Sequence, residues 1–277
     1  MKHRCKTKHG IISYSMYGTI VPKRTTQPIL FLHSLGSCCE DWEFQMKKFK
    51  HHHLVIVPDL PGHGSSEYTG PYSIEALADE VYQLLVFLGI GSCHVVSLSL
   101  GGCVALSLTL QHPEVIKSLS ICNSFAKFKP AGIDGKINLI QRLWYMVFGN
   151  MNDVARIIAK HLFQDNSLIQ RCQQRIAQNS KSVYWKLLWA IYKFDVRKQL
   201  KNIHCPTFII LGDNDKTVSF SARILLHRKI KASKIIFIKQ SGHASPYDQP
   251  EEFNRELKQF IESIEKQKKV NYDNTDY

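Results

Sequence analysis

The sequence lacks the features that define several special classes of protein. Its 277 residues contain no run of about 18 or more uncharged apolar residues, which excludes a membrane-spanning helix. No apolar segment of secretory length follows the basic amino terminus, so we expect no signal peptide. Eight cysteines do not make a disulfide scaffold in a chain of this length, and no cysteines or histidines have convincing zinc-site spacing. We therefore expect a cytoplasmic protein without a metal or another cofactor.

The composition is that of a folded protein with an uneven excess of positive charge. Hydrophobic residues make up 44% of the chain and aromatic residues 10%, which is too apolar for a disordered protein. The formal net charge is +13, and residues 125–200 alone hold 13 Lys and Arg against four Asp and no Glu. No recognition motif accompanies this charge, so we expect no nucleic-acid partner. A solvated surface and an anionic substrate or partner are the explanations that remain open.

Short apolar runs alternate with helical patterns along most of the chain. This alternation predicts an α/β protein with a mainly parallel, doubly wound sheet and helices on both faces. Continuous apolar runs predict strands at 29–32, 54–57, 93–97, 116–121, 207–211 and 234–238. Start and stop signals predict helices at 73–89, at 100–111 and from Pro250 onward.

Residues 125–200 interrupt the alternation, because their apolar residues recur only at helical spacing. This segment is predicted to be a helical cap inserted between two strands of the sheet. The expected domains are therefore a core of residues 1–124 and 201–265 and a cap of residues 125–200. Residues 266–277 are polar and are expected to form a flexible tail.

The strongest chemical signal is a serine between a predicted strand and a predicted helix. Ser99 ends the run Val-Val-Ser-Leu-Ser and is followed by Leu100, Gly101 and Gly102. We expect a sharp turn that exposes the Ser99 hydroxyl and places the Leu100 N–H at a helix amino terminus. The usual pattern is Gly-x-Ser-x-Gly, and Ser97 replaces its first glycine. Because a glycine stands two positions after Ser99 and not after Ser97, the register favours Ser99 as the nucleophile.

Three further loops with polar residues each follow a predicted strand. His33-Ser34-Leu35 follows the first strand, and the Leu35 N–H is a second candidate donor to an anion. Asp213 and Asp215 follow the strand at 207–211, and His243 follows the strand at 234–238. Because the carboxyl ends of parallel strands share one edge, we expect a hydroxyl, a carboxylate and an imidazole to meet there.

These motifs, with the loop Pro-Asp-Leu-Pro-Gly-His-Gly-Ser-Ser at 58–66, resemble those of the α/β-hydrolase superfamily. The likeness extends from about residue 10 to residue 265 and is to the esterase, lactonase and carbon–carbon hydrolase branch. The resemblance implies that Asp215 is the catalytic acid, with Asp213 as the alternative, and that His243 is the base. It also assigns the oxyanion hole to the backbone N–H groups of Leu35 and Leu100.

The predicted reaction is hydrolysis of a small-molecule carboxylic ester. Free serine is a poor nucleophile at neutral pH, so His243, oriented by Asp215, would take its proton. An acyl-enzyme would form on Ser99, and water would release the acyl group. Enol-lactone or C–C bond hydrolysis is an alternative activity. A catalytically silent ligand receptor on the same fold is the alternative outside enzymes.

The resemblance also implies that the cap covers the catalytic serine and selects the substrate. His33, Arg142, Trp144 and Arg156 are the candidate substrate-binding residues. A cap that is both apolar and basic predicts an acyl substrate with an anionic group. It also fits the docking of an acidic acyl carrier protein, as in pimeloyl carrier-protein methyl ester esterases of this family.

Overall fold

A computed structural model of the chain describes residues 2–18, 26–163 and 165–273, with side chains to Lys266 in the last helix. Within these residues nine strands form one sheet. The strands are β1 (Lys2–Thr7), β2 (Gly10–Tyr17), β3 (Ile29–Leu32), β4 (Val55–Pro58), β5 (Glu67–Tyr68), β6 (Cys93–Leu98), β7 (Ile116–Cys122), β8 (Thr207–Gly212) and β9 (Ser233–Ile238). Their order in the sheet is β1-β2-β4-β3-β6-β7-β8-β9, and β5 pairs with β2.

The six predicted strands are confirmed as the parallel part of this sheet. Strands β4, β3, β6, β7, β8 and β9 pair in parallel, so their carboxyl ends share one edge. Strands β1, β2 and β5 add an antiparallel margin that the sequence does not predict. Polar residues such as Lys2, Arg4 and Ser13 interrupt these strands, so they contain no continuous apolar run.

The helices lie between the strands and on both sides of the sheet. They are α1 (Glu43–Phe49), α2 (Ile74–Phe87), α3 (Leu100–Gln111), α4 (Gly132–Phe148), α5 (Met151–Leu162), α6 (Asn166–Ala177), α7 (Lys181–Lys193), α8 (Phe220–Lys229), α9 (Ser245–Asp248) and α10 (Pro250–Asp273). The predicted start of α2 is confirmed, because Ser73 Oγ accepts the Ala76 N–H at 3.1 Å. None of the described helices is long and apolar enough to cross a membrane.

The last helix extends into the segment for which the sequence predicts a flexible tail, and the flexibility of that segment stays a prediction. Helix α10 continues to Asp273, because the Lys and Gln residues that follow Glu265 are strong helix formers. The rest of the predicted tail, 274–277, lies outside the described residues.

Two apolar clusters cover the two faces of the sheet. Successive residues of β3 alternate between them: Leu30 packs with α2 and α3, and Phe31 packs with α1 and α10. Both faces of the parallel strands inside β9, the edge strand, are therefore buried, which explains why these inner strands are continuous apolar runs.

Helices α4 to α7 all lie between β7 and β8, where the sequence predicts an inserted cap. They form an apolar cluster of their own that includes Met146, Val154 and Tyr184. The segments that flank these helices contact loops at the carboxyl edge of the sheet. Asn179 Nδ2 donates to Gly36 O at 3.0 Å, and Pro130 forms a bridge with Val218. We refer to α4–α7 as the inserted helices; their division from the core as a separate domain stays a prediction.

Candidate active site

Ser99 lies in a sharp turn between β6 and α3. Its backbone has φ 54° and ψ −113°, in a region that a non-glycine residue enters at a cost of about 1–3 kcal/mol. The glycines that follow permit a close approach of the helix. A Cβ on Gly101 would lie 2.2 Å from Leu32 O, and one on Gly102 would lie 2.4 Å from Ser124 Oγ. The local sequence therefore fits the turn, and the strain at Ser99 indicates a functional residue.

Ser97 has a structural contact of its own. It is buried, and its Oγ donates a hydrogen bond to Ser120 O in the neighbouring strand at 3.0 Å. Ser99, in contrast, is half-buried at the carboxyl edge of the sheet. The structure therefore presents Ser99 rather than Ser97 at this edge.

The loops after β3 and β6 start side by side at the point where the strand order reverses. Strand β3 lies between β4 and β6, and Leu32 pairs in register with Ser97. Leu100 is the first residue of α3, so no preceding helical turn accepts its N–H. The described residues also provide no hydrogen-bond partner for the Leu35 N–H. Two backbone donors on adjacent loops are thus free to bind an anionic oxygen.

Asp215 and His243 are joined by a buried hydrogen bond. His243 Nδ1 lies 2.9 Å from Asp215 Oδ2, and Asp215 Oδ1 accepts the N–H groups of Thr217 at 2.7 Å and Val218 at 3.2 Å. Burial alone would raise the pKa of Asp215. The contact with His243 and the charge of Arg223 nevertheless hold this pKa below its ordinary value of 3.8. The carboxylate therefore stays ionised and can stabilise a protonated imidazole.

The alternative acid, Asp213, contacts a different part of the same loop system. Its carboxylate accepts the N–H groups of Gln240 and Ser241, each at 3.1 Å. It links the loop after β8 to the loop after β9, and within the described residues it forms no hydrogen bond or ion pair with His243. His243 and Ser99 likewise share no hydrogen bond in the described part of the chain.

Asn123 and Ser124, which follow β7, hold the backbone of two candidate catalytic residues. Asn123 Nδ2 donates to His243 O at 2.9 Å, and Asn123 Oδ1 accepts the Gly212 N–H at 2.9 Å. Ser124 Oγ donates to Ser99 O at 2.6 Å. The sequence analysis missed both residues. Their position directly after a predicted parallel strand was the signal that could have found them.

Arg223 is a third buried residue of the site that the sequence pattern does not indicate. Its Nη1 donates to Gly212 O at 2.9 Å, and its Nε lies 3.6 Å from Asp215 Oδ2. Burial lowers the pKa of Arg223, and the carboxylate of Asp215 opposes this effect. A cation is therefore held beside the carboxylate that orients His243.

A cavity opens beside His243 and the loop after β3. Its volume is about 660 Å³ when the part open to solvent is included. Apolar side chains form most of its wall, among them Leu35, Leu98, Leu162, Phe163, Leu168 and Ile176. A cavity of this kind suits an apolar group next to the reacting bond.

Two arginines of α6 also line the cavity, and both are paired with acids. Arg171 forms an ion pair with Glu43. Arg175 Nε lies 2.8 Å from Asp41 Oδ1, and its Nη1 lies 3.2 Å from Glu40 Oε2. Their positive charges are therefore compensated inside the protein.

His33 is the one predicted substrate-binding residue that lines the cavity. Its Nδ1 lies 2.8 Å from Ser34 O, and its Nε2 accepts the Leu60 N–H at 2.9 Å. Burial lowers the pKa of His33, which favours the neutral imidazole that these two contacts require. Both ring nitrogens are thus occupied by backbone groups, so His33 shapes the loop and offers the substrate no free nitrogen.

The structure does not bring Arg142, Trp144 or Arg156 to this cavity. The guanidinium of Arg142 lies 5.1 Å from the ring of Tyr184 and donates to its hydroxyl. Arg156 pairs with Asp153 at 2.6 Å on the surface, and the side chain of Trp144 is on the solvent side of α4. The sequence pattern predicts these helices correctly but does not indicate which face of each helix turns toward the catalytic edge.

One group of side chains has the spacing of metal ligands among the described residues. It consists of Cys38, Glu40 and Asp59, whose ligand atoms lie within 4.8 Å of one another. Lys2 Nζ already lies 3.0 Å from Glu40 Oε1 and 3.0 Å from Asp59 Oδ2. Burial also raises the pKa of the Cys38 thiol, which favours its protonated form. These contacts explain the cluster as an ion pair, and it carries no metal proposal.

The sheet order, the strained serine turn and the Asp–His pair define an α/β-hydrolase. The sequence model of the Alpha/beta hydrolase family matches residues 29–256, and the chain belongs to this family of hydrolase enzymes. The family resemblance found in the sequence is therefore confirmed.

Solved structures share the fold over almost the whole chain. A hydrolase from Pseudomonas aeruginosa superimposes with a TM-score of 0.84 at 22% identity, covering 94% of this chain and 98% of that one. The enol-lactonase from Burkholderia xenovorans gives a TM-score of 0.83 at 22% identity, covering 94% of this chain and 99% of that one. At this level of identity the likeness shows the fold alone.

Curated relatives place the chain in the esterase and lactonase branch of the family. It is 27% identical to 3-oxoadipate enol-lactonase 1 of Acinetobacter baylyi over 247 residues, covering 86% of this chain and 89% of that protein. It is 28% identical to the pimeloyl-[acyl-carrier protein] methyl ester esterase of Neisseria meningitidis over 218 residues, covering 76% of this chain and 84% of that protein.

Proposed function

We propose that this protein is a serine hydrolase that cleaves a carboxylic ester through an acyl-enzyme on Ser99. The observation that carries the proposal is the buried hydrogen bond of 2.9 Å between Asp215 and His243. It lies at the sheet edge that also holds the positive-φ turn of Ser99. A nucleophile, a base and an orienting acid are thereby available on one edge, which is the arrangement that acyl transfer requires.

Each step of the proposed reaction uses a group of this site. With its Nδ1 toward Asp215, His243 offers Nε2 as the base that takes the Ser99 proton while Oγ attacks the acyl carbonyl. The N–H groups of Leu35 and Leu100 stabilise the oxyanion, and loss of one such donor costs about 100- to 1,000-fold in rate. His243 then protonates the leaving alcohol. In the second half, it removes a proton from water, which attacks the acyl-enzyme and releases the acid.

The cavity supports an ester with an uncharged apolar acyl group. Its wall is mostly apolar, and Arg171 and Arg175 are already paired with acids. An anionic acyl group, which the basic charge of residues 125–200 predicts, therefore has no uncompensated guanidinium of α6 to bind. An enol-lactone is the second candidate substrate, because it is an internal ester and the chain is similar to an enol-lactonase.

Labelling with a fluorophosphonate tests the proposed nucleophile. An activated serine displaces fluoride from this reagent and forms a stable phosphonate ester. We expect the wild type and Ser97→Ala to be labelled and Ser99→Ala to remain unlabelled. Equal labelling of Ser99→Ala would place the nucleophile elsewhere. An unlabelled wild type would favour the ligand receptor on the same fold.

A substrate panel distinguishes the remaining alternatives. It comprises p-nitrophenyl esters of increasing chain length, an enol-lactone, a C–C bond substrate and a carrier-linked methyl ester. We expect the apolar esters to be hydrolysed with little dependence on salt. Faster hydrolysis of the carrier-linked ester, strongly weakened by salt, would instead support an acidic acyl carrier protein as the partner.

A further inference from the structure

An apolar stripe lies on the solvent side of α4. Its members recur every three or four residues, apart from the adjacent last pair: Ile133, Ile137, Ile140, Trp144, Val147 and Phe148. Their exposed fractions range from 48% for Ile137 to 74% for Ile133. A helix of a globular protein normally turns such a stripe toward the core. The buried residues of α4 are instead Gly135 and Met146, which lie on the side of the helix away from the stripe.

Helix α7 carries a second exposed stripe beside the first. It consists of Trp185, Trp189 and Tyr192, whose exposed fractions are 42%, 51% and 66%. These three residues line one open groove together with Leu139 and Leu143 of α4. Leu139 and Leu143 directly precede Ile140 and Trp144 of the first stripe, so the groove lies beside that stripe. We call the nine exposed residues of the two stripes the apolar face.

Cations accompany the apolar face. Helices α4 and α7 together contain five Lys and Arg residues and a single Asp. Lys136 and Lys193 are exposed, and Lys193 Nζ lies 5.3 Å from the ring centre of Trp189. Lys186 Nζ lies 5.2 Å from the ring centre of Tyr72, outside the apolar face. Positive charge is therefore next to the exposed aromatic rings and not confined to the opposite side of the helices.

We infer that the apolar face binds the surface of a bilayer that contains anionic lipids. Helices α4 and α7 lie in the plane of the interface, with the isoleucines and tryptophans at the boundary between headgroups and acyl chains. The lysines contact the anionic headgroups. The protein lies on the membrane and does not span it, in agreement with the finding that no described helix is long and apolar enough to cross.

A lipid surface accounts for the apolar and the charged features together. Exposed apolar surface of this extent marks an interaction site rather than a solvated surface. Tryptophan and tyrosine favour the membrane–water interface, because their rings are apolar and carry one polar group. The exposed lysines Lys136 and Lys193 are complementary to anionic headgroups, and they would repel a basic partner such as a second copy of this face.

Sedimentation with lipid vesicles tests this inference in the full chain. The protein carries Ser99→Ala so that binding is measured without hydrolysis. Vesicles of phosphatidylcholine alone are compared with vesicles that also contain phosphatidylglycerol. We expect binding to the anionic vesicles that weakens with added salt.

The double variant Trp144→Ser, Trp189→Ser should bind about tenfold or more weakly to both vesicle types. The double variant Lys136→Gln, Lys193→Gln should lose about fivefold per lysine on anionic vesicles only.

Phe87→Ser is the matched control, because Phe87 is a large side chain on α2 that is 60% exposed and lies outside the apolar face. It should bind like the parent protein. Absence of vesicle binding, or equal binding by the tryptophan double variant, would overturn the inference. Dimerisation through the apolar face, or binding of an acyl carrier protein, would also overturn it if vesicles do not bind. None of these results bears on the proposed hydrolysis, because that activity is measured separately in protein with Ser99 intact.

Discussion

Replacing Asn123 by alanine tests whether this side chain holds His243 in position. Asn123 is fully buried and connects the ends of two strands with the loop that carries His243. Alanine removes its donor to His243 O and its acceptor for the Gly212 N–H. Both backbone groups would then be left without a partner in a buried region, where each such group costs about 1–3 kcal/mol.

The expected loss in the free energy of unfolding is therefore about 2–6 kcal/mol. Asn123 also has φ 42°, a left-handed value that asparagine tolerates better than alanine. Asn123→Gly removes the same hydrogen bonds without this backbone penalty. The difference between the two variants thus separates the cost of the backbone conformation from the cost of the lost hydrogen bonds.

Urea unfolding measures the loss of stability, and ester hydrolysis measures the loss of catalytic activity. If His243 becomes less well placed, kcat should fall by up to about 100-fold while KM changes little. Asn254→Ala is the control, because Asn254 is also buried but bonds to Gln45 Nε2, at 3.1 Å, away from His243. It should cost about 1 kcal/mol and leave kcat unchanged. An Asn123→Ala protein with the same stability as this control and an unchanged kcat would refute the positioning role.

Two further predictions concern the serine turn and the catalytic acid. Gly101→Ala should abolish fluorophosphonate labelling, because the new Cβ would lie 2.2 Å from Leu32 O and 2.7 Å from His33 O. Gly91→Ala is the control, because no heavy atom lies within 4 Å of its new Cβ, and its free energy of unfolding should stay within about 0.5 kcal/mol of wild type. Normal labelling of Gly101→Ala would contradict the prediction. The pKa of Asp215 is lowered in the folded protein, so the unfolded chain binds its proton first as the pH falls. The stability that Asp215 provides is therefore present above about pH 4 and is lost as the pH falls through the lowered pKa. Asp215→Asn should flatten the pH dependence of urea unfolding below about pH 4, and an unchanged slope would contradict this.

The sequence predicts the parallel strands and the loops after them because their signals are local. A buried parallel strand must be apolar on both faces, so β3, β6 and β8 stand out as continuous runs. The residues directly after such runs must lie at one sheet edge, which brings the Ser99, Asp215 and His243 loops into consideration together. The positions of the apolar runs and the helical periodicity thus suffice for the parallel part of the sheet and for the loops of the candidate site, whereas the family resemblance selects Asp215 over Asp213.

The supporting residues of the site depend on contacts that no local pattern contains. Asn123 also follows a strand, but its role depends on which backbone groups of the β8 and β9 loops lie opposite it. Arg223 belongs to a helix whose partners are set by tertiary packing, and it reaches Asp215 from across the loop. Likewise, periodicity predicts α4, but only the packed structure shows that its apolar stripe faces solvent.

The positive charge of the inserted helices has two different roles according to its location. An arginine turned toward an apolar cavity must be paired, because an unpaired charge loses too much hydration. Arg171 accordingly forms an ion pair with Glu43, and Arg175 forms one with Asp41. Lysines on the outer surface keep their hydration and need no such partner, so they can stand beside the apolar face. The anionic acyl group that the charge of residues 125–200 predicts stays a prediction. The pairing of the two arginines supports the proposed neutral acyl group instead, and the exposed lysines support the inferred binding of anionic lipid on the outer side of α4 and α7.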